Sequence, residues 1–189
     1  MNKKDKFERK FNLNRTFSLK QNTFYQMNTQ IFIGLGSNLG DRIENLKTAS
    51  EKISNEIGQI VKISSLYQSK ALGFTSDSDF INQVIEIKSE LNAFQILKIT
   101  QEIERQMGRT KKSINKSYSD RIIDIDILYY NQEIFENEEL CLPHKEMYHR
   151  NFVLVPLAEI ARNFIDPKTK FSVEKLVELS EDKIEVVKY

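Results

Sequence analysis

The stretch Arg121-Ile-Ile-Asp-Ile-Asp-Ile-Leu-Tyr-Tyr130 predicts a β-strand that carries two carboxylates among apolar side chains. β-branched and aromatic residues dominate it, and it contains neither Gly nor Pro. Side chains on a strand alternate between its two faces. One face should therefore hold Ile122, Asp124, Asp126, Leu128 and Tyr130, and the other Ile123, Ile125, Ile127 and Tyr129.

The two carboxylates should stand about 7 Å apart on one strand face, where removing both from water is costly without a cation. A divalent metal is the simplest partner, and ligation by oxygen alone favours Mg²⁺. The strand therefore predicts a metal site at Asp124 and Asp126. The alternative is a pair of Asp residues on a solvent-facing edge strand.

The segment Arg109–Asp120, which leads directly into this strand, is rich in cations. Its basic residues are Arg109, Lys111, Lys112 and Lys116, and its only acid is Asp120. Cations beside a metal-binding carboxylate pair suit a polyphosphate, because they neutralise the charge on its oxygens. We therefore expect a mobile loop that closes over a polyphosphate substrate and brings Arg109 and Arg121 towards its phosphates. The alternative is an ordinary solvated run of charge.

A glycine-rich segment follows the first predicted strand, Gln30–Ile33, and precedes a helix. Its sequence is Gly34-Leu-Gly-Ser-Asn-Leu-Gly40. The spacing differs from the dinucleotide-binding fingerprint, and no lysine follows as it would in a P-loop. The glycines permit a tight turn, and backbone N–H groups at a helix start can face phosphate. By itself the segment leaves a structural turn and a phosphate contact both open.

The predicted elements follow the order strand, helix, strand, strand, helix, strand. The first helix runs from about Asp41 to Ile57, and its predicted buried stripe is Ile43, Leu46, Ile53 and Ile57. Asn92 caps the second helix. This order predicts an α+β fold with a ferredoxin-like βαββαβ core. The strands between the helices are predicted at 61–67 and 80–87, and the elements added after the core are a hairpin at 133–142, a helix at 152–161, a short helix capped by Ser172 and a last strand at 183–188.

Length and composition favour one domain in 189 residues, with 40% hydrophobic and 29% charged residues. No apolar run approaches the roughly 18 residues that a membrane span needs. Residues 1–26 carry a net charge of +5, and the rest of the chain carries −4. We interpret 1–26 as a disordered basic arm and 27–189 as a single domain without a nucleic-acid partner. The single Cys141 fits a reducing compartment, and we expect a cytoplasmic location.

Three segments together resemble a known family: Ile33-Gly-Leu-Gly-Ser-Asn-Leu-Gly40, Arg121-Ile-Ile-Asp-Ile-Asp126 and Leu142-Pro-His144. Over about residues 28–180 the chain resembles 6-hydroxymethyl-7,8-dihydropterin pyrophosphokinase of folate biosynthesis. The resemblance implies transfer of pyrophosphate from ATP to the pterin hydroxymethyl group, with release of AMP. It also implies two Mg²⁺ ions, ATP and the pterin as binding partners, and a ferredoxin-like core. We expect a monomer.

The resemblance also implies a role for each matched position. The catalytic positions are Arg109, Arg121, Asp124 and Asp126, of which the two Asp residues are the metal ligands. The positions on the nucleotide side are Gln101, Glu104, Ile127, His144 and Arg150. The pterin ring is sandwiched by Phe80 and Phe152, while Asn82 binds its polar edge. Offset stacking on both faces suits a flat heteroaromatic ring, although each Phe alone is more often a core residue.

Departures from the family pattern fall around the site. Ser69-Lys-Ala71 stands where the family often shows Thr-Pro-Pro, and Tyr118 where a Trp is common. Asp120 stands where a Pro usually precedes the arginine.

Two other functions use similar elements. A nucleotidyltransferase or cyclase of palm type also places two Asp residues on a ferredoxin-like sheet, but it would release pyrophosphate rather than AMP. An RNA-binding module would use aromatic residues on the sheet face. The carboxylates on the strand and the acidic folded part argue against the RNA-binding module.

Overall fold

The structure, a computed structural model, describes residues 29–74, 76–108 and 120–189. The predicted arm over 1–26, Arg109 and all of the predicted loop except Asp120 lie outside the described residues. The strands are β1 (Ile31–Ser37), β2 (Gln59–Ile63), β3 (Tyr67–Ser69), β4 (Phe80–Lys88), β5 (Asp124–Tyr130), β6 (Phe135–Glu136), β7 (Cys141–Leu142) and β8 (Val186–Lys188). The helices are α1 (Arg42–Glu56), α2 (Ala93–Gln106), α3 (Asn151–Ala161) and α4 (Val173–Leu179), with a 3₁₀ turn at Met147–His149.

The main sheet is antiparallel and has the strand order β5-β1-β4-β3-β8. Strand β2 also pairs with β4, beyond the three residues of β4 that pair with β3. A separate ribbon is formed by β6 and β7. The described residues therefore form a mixed α/β fold in which β1 is an interior strand and β5 lies at the edge of the sheet.

Alternation along β1 separates two apolar cores. Ile31 and Ile33 pack with residues of α1 and α2 on one face, and Phe32 packs with residues of α3 and α4 on the other. All three side chains are 0% exposed. The sheet is thus the middle layer between two helical layers, and each face of it is covered.

Side-chain caps fix the starts of three helices. Asp41 accepts a hydrogen bond from the backbone N–H of Glu44 at the start of α1. Asn92 forms a reciprocal capping box with Gln95 at α2, and Ser172 caps α4. The predictions at Asn92 and Ser172 are confirmed, because a short polar side chain before an apolar periodic segment satisfies N–H groups that the helix leaves unpaired.

The predicted strand over 61–67 is wrong as a single element. The structure divides this region into β2 and β3, and Val61 and Ile63 are 38% and 53% exposed. Ser64 stands between the two strands, where its N–H donates to the Val84 carbonyl at 2.9 Å and its Oγ accepts from the Val84 N–H at 3.0 Å. The register of β2 with β4 also shifts between Ile60 and Lys62, so Val61 has no partner on β4 and the regular alternation is interrupted. In α1, likewise, Ile43 is 44% exposed and does not belong to the predicted buried stripe.

A β-bulge changes the predicted faces at the end of β5. Phe32 pairs with Tyr129, whereas Ile33 pairs with Ile127, so Leu128 is an extra residue on β5. Leu128 and Tyr129 consequently both face α3 and α4, and Tyr130 packs on the opposite side. The prediction that Tyr130 shares the Asp face and Tyr129 the other is therefore wrong, because an inserted residue reverses the alternation after it.

Candidate active site

One pocket lies beside the C-terminal half of β1, where β1, β4, β5 and the start of α3 meet. Its empty volume is about 740 Å³ when its open mouth is included. The residues predicted from the sequence that line it are Phe80, Asn82, Arg121, Asp124, Asp126, Arg150 and Phe152. The structure therefore brings the predicted ring-binding and phosphate-binding residues together in a single cavity.

Glycines of β1 form the floor of this pocket beside the two carboxylates. Gly36 pairs with Asp124, and Gly34 pairs with Asp126. A Cβ atom at Gly36 would lie 3.3 Å from Asn82 Oδ1, so a side chain there would crowd the amide. The first two glycines of the segment thus keep the floor open, which is a role that the sequence analysis did not predict.

Arg121 and Asp124 form an ion pair inside the pocket wall. Arg121 Nη1 lies 2.6 Å from Asp124 Oδ2, and the two side chains are 13% and 23% exposed. A charge-assisted hydrogen bond in a partly dehydrated setting holds its geometry better than a surface pair does. The pair therefore orients the guanidinium next to the carboxylates.

His144 and Arg150 approach the same region from the segment before α3. His144 Nε2 lies 3.8 Å from Asp126 Oδ1, and the His144 backbone N–H donates to the Leu128 carbonyl at 3.0 Å. Arg150 has a side chain that is 13% exposed, and its Cζ lies 5.9 Å from the centre of the Phe152 ring. A guanidinium at this distance is attracted by the ring, so Arg150 stands where the aromatic and the acidic parts of the pocket meet.

Three predicted residues belong to the other side of the sheet. Glu104 is 8% exposed, and its Oε1 accepts a hydrogen bond of 2.8 Å from the backbone N–H of Ile125. Because β5 is an edge strand, an N–H that points away from β1 needs such a partner. Ile127 is 4% exposed in the core under α1 and α2, and Gln101 is exposed on α2. Their nucleotide-side roles stay predictions.

Two other residues next to the pocket, Phe74 and Asn38, were not predicted from the sequence. Phe74 lines it, and its ring meets the Phe80 ring edge to face at a centroid distance of 6.4 Å. An aromatic residue among small polar residues in a loop was the available sign of this role. Asn38 joins pocket segments, although it was quoted only as part of the glycine-rich motif.

The donor set suits a hard cation that is shared with a substrate. Within the described ranges, no group of three or more His, Cys, Asp or Glu side chains could hold a metal ion. The two carboxylates on β5 fit Mg²⁺, which usually takes one or two protein carboxylates together with phosphate oxygens and water.

Comparisons with known proteins agree on one family. The family model described as 7,8-dihydro-6-hydroxymethylpterin-pyrophosphokinase matches residues 32–162. The 2-amino-4-hydroxy-6-hydroxymethyldihydropteridine pyrophosphokinase of Bacillus subtilis is 41% identical over 137 residues, which are 72% of this chain and 80% of that protein. The protein of the same name from Haemophilus influenzae is 37% identical over 154 residues, which are 81% of this chain and 94% of that protein.

A solved structure of Plasmodium falciparum HPPK-DHPS has a similar fold, with a TM-score of 0.61 and 17% sequence identity. The match covers 80% of this chain but 43% of the longer Plasmodium chain. The chain belongs to the 7,8-dihydro-6-hydroxymethylpterin-pyrophosphokinase family. Among the residues that the structure describes, no helix is both long enough and apolar enough to cross a lipid bilayer.

Proposed function

We propose that this chain transfers the pyrophosphoryl group of ATP to the hydroxymethyl group of 6-hydroxymethyl-7,8-dihydropterin, a step of folate biosynthesis. Family membership supports the reaction, and the observation that carries it is the single pocket that joins Phe80 and Phe152 to Asp124 and Asp126. The pterin hydroxyl oxygen attacks the β-phosphorus, and the bond from that phosphorus to the α–β bridging oxygen breaks. The hydroxyl proton passes to solvent water, and AMP leaves.

The acidic end of the pocket binds the triphosphate in this proposal. Asp124 and Asp126 would hold Mg²⁺, of which the family resemblance implies two ions, and the metal would supply positive charge to the phosphate oxygens. Arg121 and Arg150 place further positive charge at the pocket wall. Charge spreads over the phosphate oxygens in the transition state, so such positioned cations contribute more than a strong protein base would.

The aromatic end binds the pterin in this proposal. The Asn82 side chain is 4% exposed, and its Nδ2 donates to Ser69 Oγ at 2.9 Å. This hydrogen bond fixes the amide plane and directs Oδ1 towards the pocket floor at Gly36. We therefore assign Oδ1 as an acceptor for ring N–H groups, while Phe80 and Phe152 stack on the ring faces.

The remaining positions are assigned to the nucleotide side. His144 stands near Asp126, and Glu104 holds the backbone between the two carboxylates from behind. Gln101, Ile127 and Arg109 enter the proposal through the family resemblance. We also propose a ferredoxin-like core, which the order β5-β1-β4-β3 supports, and a cytoplasmic enzyme that acts as a monomer.

A product analysis tests the proposed function. The purified protein is incubated with ATP, Mg²⁺ and 6-hydroxymethyl-7,8-dihydropterin, and the nucleotides and pterins are separated by chromatography. We expect AMP and the pterin pyrophosphate in equal amounts, and no AMP when the pterin is omitted. Accumulation of ADP would contradict the proposal, and so would free pyrophosphate, which a nucleotidyltransferase would release.

A further inference from the structure

Asn38 lies directly after β1 and holds the backbone of Arg121 from both sides. Asn38 Oδ1 accepts a hydrogen bond from the Arg121 N–H at 2.7 Å, and the Asn38 backbone N–H donates to the Arg121 carbonyl at 3.1 Å. Asn38 is 1% exposed, so water competes little for either bond. The position of Arg121 before the start of β5 therefore depends on this residue.

The other half of the Asn38 amide joins two further segments. Its Nδ2 donates to Asp120 Oδ1 at 2.6 Å and to Ser76 Oγ at 3.2 Å. Ser76 Oγ in turn donates to Asp120 Oδ1 at 2.6 Å. These side chains form a closed triangle, which we call the Asn38–Ser76–Asp120 triangle. Ser76 belongs to the segment between β3 and β4 that also carries Phe74, so the triangle links the ring side of the pocket to the arginine.

We propose that Asn38 is a positioning residue that acts through Arg121. It fixes the Arg121 backbone, and thereby the guanidinium that lies 2.6 Å from Asp124. Asn38 is not among the residues that line the candidate active-site pocket, so we expect it to do this without touching a substrate. The inference rests on the proposed function, in which Arg121 neutralises the phosphates.

The chemistry of the triangle explains why an amide is needed at residue 38. One side chain must accept a hydrogen bond from Arg121 and also donate to a carboxylate, and an amide offers both groups at once. An Asp at this position would keep the acceptor for Arg121, but its second oxygen would face the Asp120 carboxylate. Two carboxylates at hydrogen-bond distance repel each other, so Asn38→Asp should displace residues 120 and 121.

The test exchanges the amide at residue 38 and the carboxylate at residue 120. In Asn38→Asp we expect kcat to fall about 10- to 100-fold, since small misplacements of a catalytic group cost about this much. The KM values for ATP and the pterin should change by less than about threefold, because no contact of Asn38 with either substrate is expected. In the double variant Asn38→Asp with Asp120→Asn, the amide at 120 donates to the carboxylate at 38, and most of the lost kcat should return.

Arg121→Ala provides the background that separates positioning from a general structural role. If Asn38 acts through Arg121, adding Asn38→Asp to Arg121→Ala should lower the single-turnover rate constant by less than about twofold. A residue that only supports the fold would lower kcat by the same factor in both backgrounds. Asp77→Asn is the matched control, because Asp77 is exposed on the same segment as Ser76, and its kcat should equal that of the wild type.

The outcomes distinguish this inference from the proposed function. If the wild-type protein forms no AMP and pterin pyrophosphate, the proposed function fails. If the wild type is active and Asn38→Asp keeps its kcat, or the exchange restores nothing, the positioning role is overturned and the function stands. Should Asn38→Asp not fold, Asp120→Ala breaks the same hydrogen bond from the other side, because it removes the carboxylate that accepts from Asn38 Nδ2 at a more exposed position. An unchanged kcat there overturns the inference as well.

Discussion

Asp124 and Asp126 are the residues on which the proposed chemistry depends most, since they share one face of β5 and line the pocket. They pair with Gly36 and Gly34 of the neighbouring strand, which have no side chains to fill the space beside the two carboxylates. Two glycines beside two Asp side chains leave room for a hydrated metal ion and for phosphate oxygens.

Asp126→Ala should reduce kcat by at least about 100-fold, the scale seen when a single group that stabilises transition-state charge is removed. The fold should persist, because the change also removes one of two neighbouring negative charges. Activity is measured across a Mg²⁺ titration together with Tm, with Glu138→Ala as a control at an exposed acid of the β6–β7 connection. Wild-type activity across the whole titration, including limiting Mg²⁺, would show that Asp126 is not a metal ligand.

Arg121→Ala should lower kcat by about 100- to 1,000-fold, because the arginine meets charge that develops in the transition state. Affinity for an unreactive ATP analogue should change much less, since the ground-state triphosphate is also held by the metal site. Calorimetric binding and steady-state rates measured on the same sample separate the two effects. A large loss of nucleotide affinity with an unchanged kcat would assign Arg121 to binding alone.

At the residue scale, local sequence patterns predicted the residues that line the pocket better than the residues that hold those residues in position. The alternation along 124–128 placed both Asp residues on one face, and that face is confirmed. Asn38 and Phe74 were not predicted, because their roles come from contacts across more than 80 residues and across a loop respectively. No spacing within the sequence encodes such contacts.

At the scale of secondary-structure elements, the buried carboxylate of Asp166 joins β5 to two neighbouring segments. Asp166 is 0% exposed and accepts hydrogen bonds of 2.8 Å from the hydroxyls of both Tyr129 and Tyr148. The backbone N–H groups of Lys168 and Thr169 donate to its other oxygen. Asp166 thereby connects β5, the 3₁₀ turn that precedes Arg150, and the segment before α4.

Asp166→Asn should lower the free energy of unfolding by about 1–3 kcal/mol, the usual loss for buried hydrogen bonds to a charged group. A fall in Tm of several degrees should accompany it. Thermal unfolding followed by circular dichroism measures the change, and Asp77→Asn serves as the exposed control. An unchanged Tm would mean that the four hydrogen bonds contribute nothing net.

Stability should also depend on pH through Asp166. Burial alone would raise the pKa of its carboxyl, but the hydrogen bonds from Thr169, Tyr129 and Tyr148 outweigh burial and hold the pKa below its ordinary value. A lowered folded-state pKa stabilises the protein above the unfolded value of about 4, and this stabilisation is lost as the pH falls further. The difference in stability between wild type and Asp166→Asn should therefore be constant above about pH 5 and shrink below pH 4. A constant difference down to pH 2 would contradict this.

The secondary-structure elements were predicted well where a pattern within the segment defines them. They were predicted poorly where they depend on pairing with strands that are distant in the sequence. Helices α1 and α2 and strand β4 follow their periodic apolar residues and caps. The bulge at Leu128 and the division between β2 and β3 arise from register with neighbouring strands. Period-two alternation within one strand carries no information about its neighbour's register, so both features escaped prediction.

At the scale of the whole molecule, one sheet lies between two helical layers in the described residues, and its strands β1, β4 and β5 all contribute to the candidate active-site pocket. A chain shortened to begin at Met27 should keep the Tm and kcat of the full chain within error, because residues 1–26 carry much charge and show no apolar period. Differential scanning calorimetry and the AMP assay on both chains test this. A Tm lower by many degrees would show that the first 26 residues stabilise the domain.

The central claim is that the pyrophosphoryl group moves intact from ATP to the pterin, and the fate of labelled phosphates tests it most directly. Two reactions are run with Mg²⁺ and the pterin, one with ATP labelled at the β-phosphate and one with ATP labelled at the γ-phosphate. We expect both labels in the pterin product in equal yield, and neither label in AMP. Transfer of the γ-label alone, or release of both labels as free pyrophosphate, would contradict the claim.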